Sequence, residues 1–331
     1  MAVSTPAPVN GVGAPPTSRA GPTAPSRRQV RRSRRYRLDV KGSPYAYVAP
    51  FFILFFAFGL FPLLYTAYAS LHRIELGHPD TQTWVGLGNY TRLLHDQFFW
   101  NALRNTVTLG VLSTVPQLAM ALGLAHVLNY QLRGRTLFRV SVLLPYITST
   151  AAATIVFAEL FGRDYGLINW VLGSVGVHHI NWESGTWTSQ IAISTIVTWR
   201  WTGYNALIYL AAMQAIPSEL YGAAAVDGAG RWQLFRHITL PLLRPAIVFT
   251  VVVSTIGATQ LFGEPLLFGG ISGHTGGASH QYQTLGLYLY DQGWYNFHLG
   301  RAAAIAWAMF LIILVFVVIN TLLARRIRSA S

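Results

Sequence analysis

Residues 218–245 read SELYGAAAVDGAGRWQLFRHITLPLLRP. The stretch is too polar to cross a membrane and too short to be a domain, and long apolar runs flank it on both sides. It is therefore an internal loop of a multi-span membrane protein, and its residues predict a structure of its own. Pro217 and Ser218 read as a helix start, because Pro suits the first turn and a Ser hydroxyl can accept from free N–H groups. From Glu219 to Asp227, the residues Leu220, Ala223, Ala224 and Val226 predict a helix of small side chains that another surface can approach closely. Gly228, Ala229 and Gly230 break it, since glycine reaches backbone angles that other residues avoid. A second short helix is expected over 231–238, with Leu234 and Ile238 one turn apart, Phe235 beside them, and Arg231, Arg236 and His237 as polar neighbours. Pro241 is expected to stop it. The product is a helix-turn-helix elbow offered to water, which a plain connection between two spans would not need.

The run Ala223-Ala224-Ala225-Val226-Asp227-Gly228-Ala229, followed by Ile238-Thr239-Leu240-Pro241, resembles the "EAA" loop of the permease subunits of ATP-binding-cassette sugar importers. The resemblance implies that residues 215–241 are a coupling loop docked on a separate ATPase subunit. It also implies that Glu219, Gly222, Ala223, Ala224, Asp227, Gly228, Arg231, Phe235, Leu240 and Pro241 make or shape that contact. One departure is plain: the leading Glu of the family is Gly222 here, and a mid-helix Gly costs about 1 kcal/mol against Ala. Glu219, one turn earlier and on nearly the same face, is the candidate to supply the lost charge.

Composition narrows the class independently. The chain of 331 residues is 52% hydrophobic and only 11% charged, which is poor in charge for a soluble protein. It has no cysteine, so disulfides and thiolate metal sites are excluded. Lys41 is its only lysine, so no GxxxxGK[ST] phosphate loop exists in it, and ATP hydrolysis of that type belongs to another chain. No cofactor is expected on this chain, with ATP and Mg on the partner ATPase.

Residues 1–43 are rich in Pro, Ala, Ser and Arg, with Arg27, Arg28, Arg31, Arg32, Arg34, Arg35 and Arg37 in one cluster. A segment without core-forming residues reads as a disordered basic cytoplasmic tail that sets orientation and touches anionic lipid; nucleic acid is set aside as its partner. Apolar runs then recur over 48–71, 105–128, 137–161, 187–214, 243–262 and 302–324, each long enough for a ~30 Å hydrocarbon layer. The first exceeds a signal core of ~7–15 residues and reads as an uncleaved span. Pro145 in the third is tolerable where neighbouring helices satisfy the freed backbone groups.

Six spans put both ends on one side, and the basic residues agree. The tail, Arg133, Arg231, Arg236, Arg244 and Arg325 share a side, while the other holds Arg73, Arg92, Arg104, Arg163 and Arg301. By the positive-inside rule the elbow is cytoplasmic. The expected fold is thus an all-α membrane protein of the cell membrane: six transmembrane helices over 44–331, both termini cytoplasmic, and a cytoplasmic helix-turn-helix between spans four and five.

Arg200, between Trp199 and Trp201, is the one charge well inside a span, and a charge at that depth costs at least ~2.5 kcal/mol unless it faces a cavity or a partner. Substrate contact and a bridge to Glu159, Glu264 or a partner subunit are both open readings. Tyr204 and Asn205 stand beside it, and aromatic faces with amide and guanidinium donors suit a sugar. Gln260 and Glu264, four apart, would share a helix face and complete a substrate path with Arg200, Tyr204 and Asn205. Gln117 and His126 are weaker candidates. His178, His179 and Glu183 lack a further ligand at useful spacing, so no metal is assigned, and no catalytic constellation is present. The Gly-rich segment 269–277 reads as a flexible external loop.

Two more segments are similar to the same family: Gly86-Leu87-Gly88-Asn89-Tyr90 with Asp96, Phe98, Trp100, Asn105 and Thr106, and later Gly166-Leu167-Ile168-Asn169. Taken together, the resemblance covers 48–326 and implies a maltose-transporter-type permease. Such a subunit pairs with a second related permease, two ATPase subunits and an extracytoplasmic sugar-binding protein. Gln260-Leu261-Phe262-Gly263-Glu264-Pro265, with Gly300-Arg301-Ala302, looks most like permeases for cellobiose or related oligosaccharides. The alternative is an ion-coupled secondary transporter, which should show paired intramembrane acids, whereas the acids here lie at span ends, in loops or in the tail.

Overall fold

The computed structural model describes residues 43–77, 82–130 and 134–329. The basic cluster of the tail and the Arg133 turn lie outside the described residues. Two units are distinguished, up to Leu63 and from Leu64 onward.

The first unit is helical from Ser43, within a helix α1 that runs Ser43–Ser70 and contains a π-helical turn at Phe55–Leu60. Phe51, Phe52, Phe55 and Phe56 pack ring to ring along it at 5.5–6.3 Å. All four rings are largely exposed, as befits a helix solvated by hydrocarbon rather than water.

The second unit is a helical bundle with one small hairpin, β1 (His72–Arg73) paired antiparallel with β2 (Thr83–Trp84). Its helices are α2 (Gly88–His95), α3 (Gln97–Leu128), α4 (Arg135–Ile147), α5 (Thr150–Leu160), α6 (Leu167–Ser174) and α7 (Thr186–Gln214). They are followed by α8 (Ser218–Val226), α9 (Arg231–Leu242), α10 (Arg244–Thr259), α11 (Gly263–Phe268), α12 (Leu285–Tyr290) and α13 (Leu299–Ser329).

Asp96 starts α3, its Oδ1 accepting from the Phe98 N–H at 2.9 Å. α3 packs along α7, and α7 is the most buried helix of the bundle. That position explains its composition: Ser189, Gln190, Ser194, Arg200, Thr202 and Asn205 are all buried, so α7 meets protein rather than lipid on those faces. Leu109, Ile193, Ile196, Phe161 and Trp182 fill one core. Ala121, Ala125, Tyr209, Met213 and Leu243 fill another, toward the elbow. Among the described residues α1, α3 and α13 are long and apolar enough to cross a membrane, and two bent pairs, α4 with α5 and α9 with α10, bring the number to five if each pair is one span.

The bent pairs add what the apolar runs alone did not give. The third apolar run turns by 89° at Thr148 and Ser149, both of extended backbone. Pro145 removes one helical N–H just upstream, and the Thr148 hydroxyl donates to the Leu144 carbonyl at 2.9 Å, closing the last turn. Pro241, by contrast, does not stop α9. A π turn at Phe235–Thr239 precedes it, with the Leu240 N–H reaching Phe235 O, and this widened turn lets the chain pass a residue that has no donor. The helix stops at Leu243, where it bends by 64° into α10, and Pro245 sits in the first turn of α10. Ser218 likewise makes no capping bond: Pro217 holds the cap position and Ser218 is the first helical residue.

The Gly-rich segment is not loose. Residues 270–275 form a 3-10 turn, and the chain beyond is pinned to α3 and α7. Asn105 Nδ2 donates to the carbonyls of His280 at 3.0 Å and Gln283 at 3.2 Å. Gln190 Nε2 donates to Asn105 Oδ1 at 3.0 Å and to Gln281 O at 3.1 Å, and Thr108 donates to Gln190 Oε1. Two asparagines play comparable parts elsewhere. The Asn89 amide donates to Ser70 O and His72 O, and Asn169 ties Arg163 O, Ile180 and the Trp182 indole into one corner. Asn89 is buried, and its amide is spent on holding the Ser70 and His72 carbonyls.

Candidate substrate path and docking loop

A cavity of about 520 Å³ lies between α3, α7, α10 and the start of α11. Its volume falls in the ~300–1,000 Å³ range of small-molecule sites. Arg200, Tyr204, Asn205, Gln260 and Glu264, the five residues expected from the sequence to line a path, all line it, together with Gln117. His126 does not line it; its ring packs edge-on against Phe235 at the elbow end.

Arg200 Nη1 donates to Glu264 Oε1 at 2.5 Å, and both side chains are almost fully enclosed, at 10% and 7% exposure. The bridge between them resolves one of the open readings of Arg200. Its Nε, buried, has no hydrogen-bond partner among the described residues. Gln260 and Glu264 do not share a helix face as expected, because α10 ends at Thr259 and α11 begins at Gly263. They meet at the cavity through that break. Thr150, first residue of α5 after the 89° bend, lines it as well, so two helix interruptions converge there.

Sequence reasoning missed Thr150, Ser113 and Ser254, the last of which accepts from Gln117 Nε2 at 3.3 Å. Ser113 is four residues before Gln117 on α3, a spacing from which it could have been found. Tyr146 was missed too, and it stacks on Tyr204 at 4.7 Å and meets Trp201 edge-on at 5.2 Å. Trp199 turns away to Phe157.

The elbow consists of α8 and α9 joined at Asp227–Gly230. Gly228 has φ +82°, and the Gly228 N–H bonds to Ala225 O while the Ala229 N–H bonds to Ala224 O. These two bonds close a Schellman turn, for which a left-handed residue is needed. Gln233 Oε1 then accepts from the Gly230 N–H at 2.7 Å and starts α9. Glu219, Gly222, Ala223, Asp227 and Arg231 are exposed, Ala224, Phe235, Leu240 and Pro241 half-buried. Gly222 faces open space. Val226, at 89% exposure, and Trp232, at 69%, add apolar surface that the docking set had not included.

On the face of the bundle away from the elbow, burial pushes the Tyr282 phenol up to about 12, with Glu183 adding to the shift. Burial also raises Tyr288, whose hydroxyl donates to Asp96 Oδ2 at 2.5 Å. Burial raises Asp291 and lowers His298, the latter also pushed down by Arg301. Among the described residues no group of three His, Asp or Glu side chains could hold a metal ion.

A cavity with a few convergent polar groups inside a bundle of apolar helices, with a folded loop at one end, is the construction of a membrane transport subunit. The chain belongs to the family described as "binding-protein-dependent transport system inner membrane component", which it matches over residues 111–329. It is 39% identical over 256 residues to the lactose transport system permease protein LacF of Rhizobium radiobacter, covering 76% of this chain and 83% of that one. To the arabinooligosaccharides transport system permease protein AraP of Bacillus subtilis it is 36% identical over 288 residues, 85% and 88% of the two chains. The trehalose/maltose transport system permease protein MalF of Thermococcus litoralis is 32% identical over 275 residues, 83% and 91%. In fold it is similar to a bacterial ABC transporter that imports the acidic polysaccharide alginate, with TM-score 0.76, 24% identity, and 88% and 98% of the chains covered. The chain is thus a multi-pass transport permease of the cell membrane, and not an ion-coupled carrier.

Proposed function

We propose that this chain forms one half of the path of an ATP-driven importer for oligosaccharides such as cellobiose or related glycosides. Sugar arrives from an extracytoplasmic binding protein, and a second related permease completes the path. Two ATPase subunits, which carry ATP and Mg, complete the complex, and one of them docks on this chain's elbow through Glu219, Gly222, Ala223, Asp227, Arg231 and their neighbours. In this reading there are six spans with both termini cytoplasmic. α7, fourth in chain order, completes the six: its 29 residues rise about 43 Å, ample for a ~30 Å layer, and its polarity is met inside the bundle.

The observation that carries the reading is the convergence of Arg200, Tyr204, Asn205, Gln260 and Glu264 on one cavity. Aromatic faces beside amide and guanidinium donors complement the apolar faces and hydroxyl edges of a sugar ring. The sugar-transport names of its relatives support the same class. The test is uptake of labelled cellobiose into proteoliposomes holding the co-purified complex and its binding protein. Uptake that requires ATP, and stops when Gln260 and Tyr204 are replaced by Ala, supports the reading; uptake without ATP overturns it.

A further inference from the structure

We propose that the cavity is built for uncharged glycosides, and that Glu264 closes it to acidic ones by occupying Arg200. The inference rests on the sugar-path reading above and goes further by assigning charge selection to one residue pair. Among the described residues lining the cavity, Arg200 and Glu264 are the only charged side chains. They neutralise each other through the bond from Nη1 to Oε1, so the cavity carries no net charge to attract an anion. The remaining polar lining is hydroxyl and carboxamide, from Ser113, Thr114, Thr150, Tyr204, Asn205 and Gln117 among others, groups that both donate to and accept from a hydroxyl.

Arg200 Nε is enclosed and lacks a hydrogen-bond partner among the described residues, so it offers the cavity no accessible donor. A sugar can use the surrounding hydroxyl and carboxamide groups without disturbing the pair. A carboxylate can gain the guanidinium only by displacing Glu264, and Glu264 would then be an uncompensated anion at 5% exposure, which a low-dielectric site strongly disfavours. The acidic ligand therefore loses at Glu264 what it gains at Arg200. Discrimination of this kind works by leaving a buried charge unpaired, and needs no steric fit.

The test uses the full chain in lipid nanodiscs with the permease and ATPase subunits that co-purify, without binding protein. Calorimetric titrations compare a neutral β-linked disaccharide with the same disaccharide oxidised at one C6 to a carboxylate. The wild type is expected to bind the neutral probe at least tenfold more tightly. Glu264→Gln frees Arg200 and should shift the ratio toward the acid by at least tenfold, and the double variant R200Q/E264Q should return it to the wild-type side. Gly257→Lys serves if Glu264→Gln does not insert: it adds a cation at an exposed cavity position with open space for a side chain, and it too should favour the acid tenfold. A ratio that neither substitution moves, while the neutral probe still binds, overturns charge selection and leaves the sugar path standing. If the wild type binds neither probe, the sugar-path reading itself falls.

Discussion

The hydroxyl of Tyr221 on α8 and that of Thr239 in the π turn of α9 lie 2.9 Å apart, a link between the two arms of the elbow across 18 residues of chain. Thr239 is buried and also donates to the Leu234 carbonyl, so the widened turn that carries α9 past Pro241 is itself a part of the link. The elbow is therefore one stiffened piece rather than two helices on a hinge, which is what a part that transmits force requires. Tyr221→Phe removes the link and keeps the ring. A hydrogen bond of this kind contributes about 1 kcal/mol net. Amides of 218–226 should exchange with deuterium several-fold faster, and uptake per ATP hydrolysed should fall, while expression stays at the wild-type level.

Gly228→Pro acts on the turn itself. Proline cannot adopt φ +82° and has no N–H for Ala225 O, so the Schellman turn is lost at both its requirements. Uptake should be abolished with membrane insertion intact, as read by protease protection and by the amount of chain recovered in membranes. Normal uptake by this variant would refute the role given to the turn.

Gly222 faces open space on α8, so a larger side chain there meets nothing within the chain. Gly222→Glu should raise helix stability by a few tenths to about 1 kcal/mol through propensity and should preserve or increase ATP-coupled uptake. Glu219→Ala should lower coupling severalfold in the wild-type background and far less in the Gly222→Glu background. Equal effects in the two backgrounds would show that Glu219 does not stand in for the acid at position 222.

How much of this was legible in the sequence divides along a physical line. The elbow was, because Gly228 and Gly230 act on their own backbone within a few residues. Arg200 was, because a charge among apolar residues must be answered wherever it lies. What could not be read is set by neighbours distant in sequence. The packing of α4 on α7 is one case: Gly203 lies so close to the Val142 carbonyl that an added Cβ would collide with it, and nothing near Val142 in the sequence announces Gly203. Glycines at 269–277 favour flexibility locally, yet Asn105 and Gln190, far away in the chain, supply the donors that fix the segment beyond them. Pro241 misled in the opposite sense, since a π turn five residues long absorbs the missing donor.

His298 gives a pH dependence with a definite sign. Burial first, and then Arg301, hold its folded pKa below the ordinary 6.5, so folding favours the neutral ring. Its share of stability is complete above the unfolded value and is lost as pH falls below 6.5 toward the folded one. Asp291 runs the other way, its raised pKa adding stability as pH falls from above that value toward the ordinary 3.8. Between pH 7 and pH 5.5 the histidine should lower the melting temperature of the wild type, and His298→Asn should flatten that part of the curve.

Asn105 makes three bonds in the network that fixes the loop beyond α11, as many as Gln190. Its amide donates to His280 O and Gln283 O, and its oxygen accepts from Gln190. His280 O also receives Asn101, whereas the Gln190 amide is left with Gln281 O alone if Asn105 is truncated. Asn105→Ala therefore strips a bond from each of three partners, of which Gln190 and Gln283 are buried, at about 1–3 kcal/mol for any group left unsatisfied. The loss falls on 276–284, so protease cleavage and deuterium uptake there should rise at least tenfold, with the elbow amides unchanged. Asn105→Asp should be nearly as damaging, because the carboxylate keeps the acceptor for Gln190 but turns a charge toward two carbonyl oxygens. If both variants leave the loop as protected as the wild type, the segment is held by its own turns and not by α3.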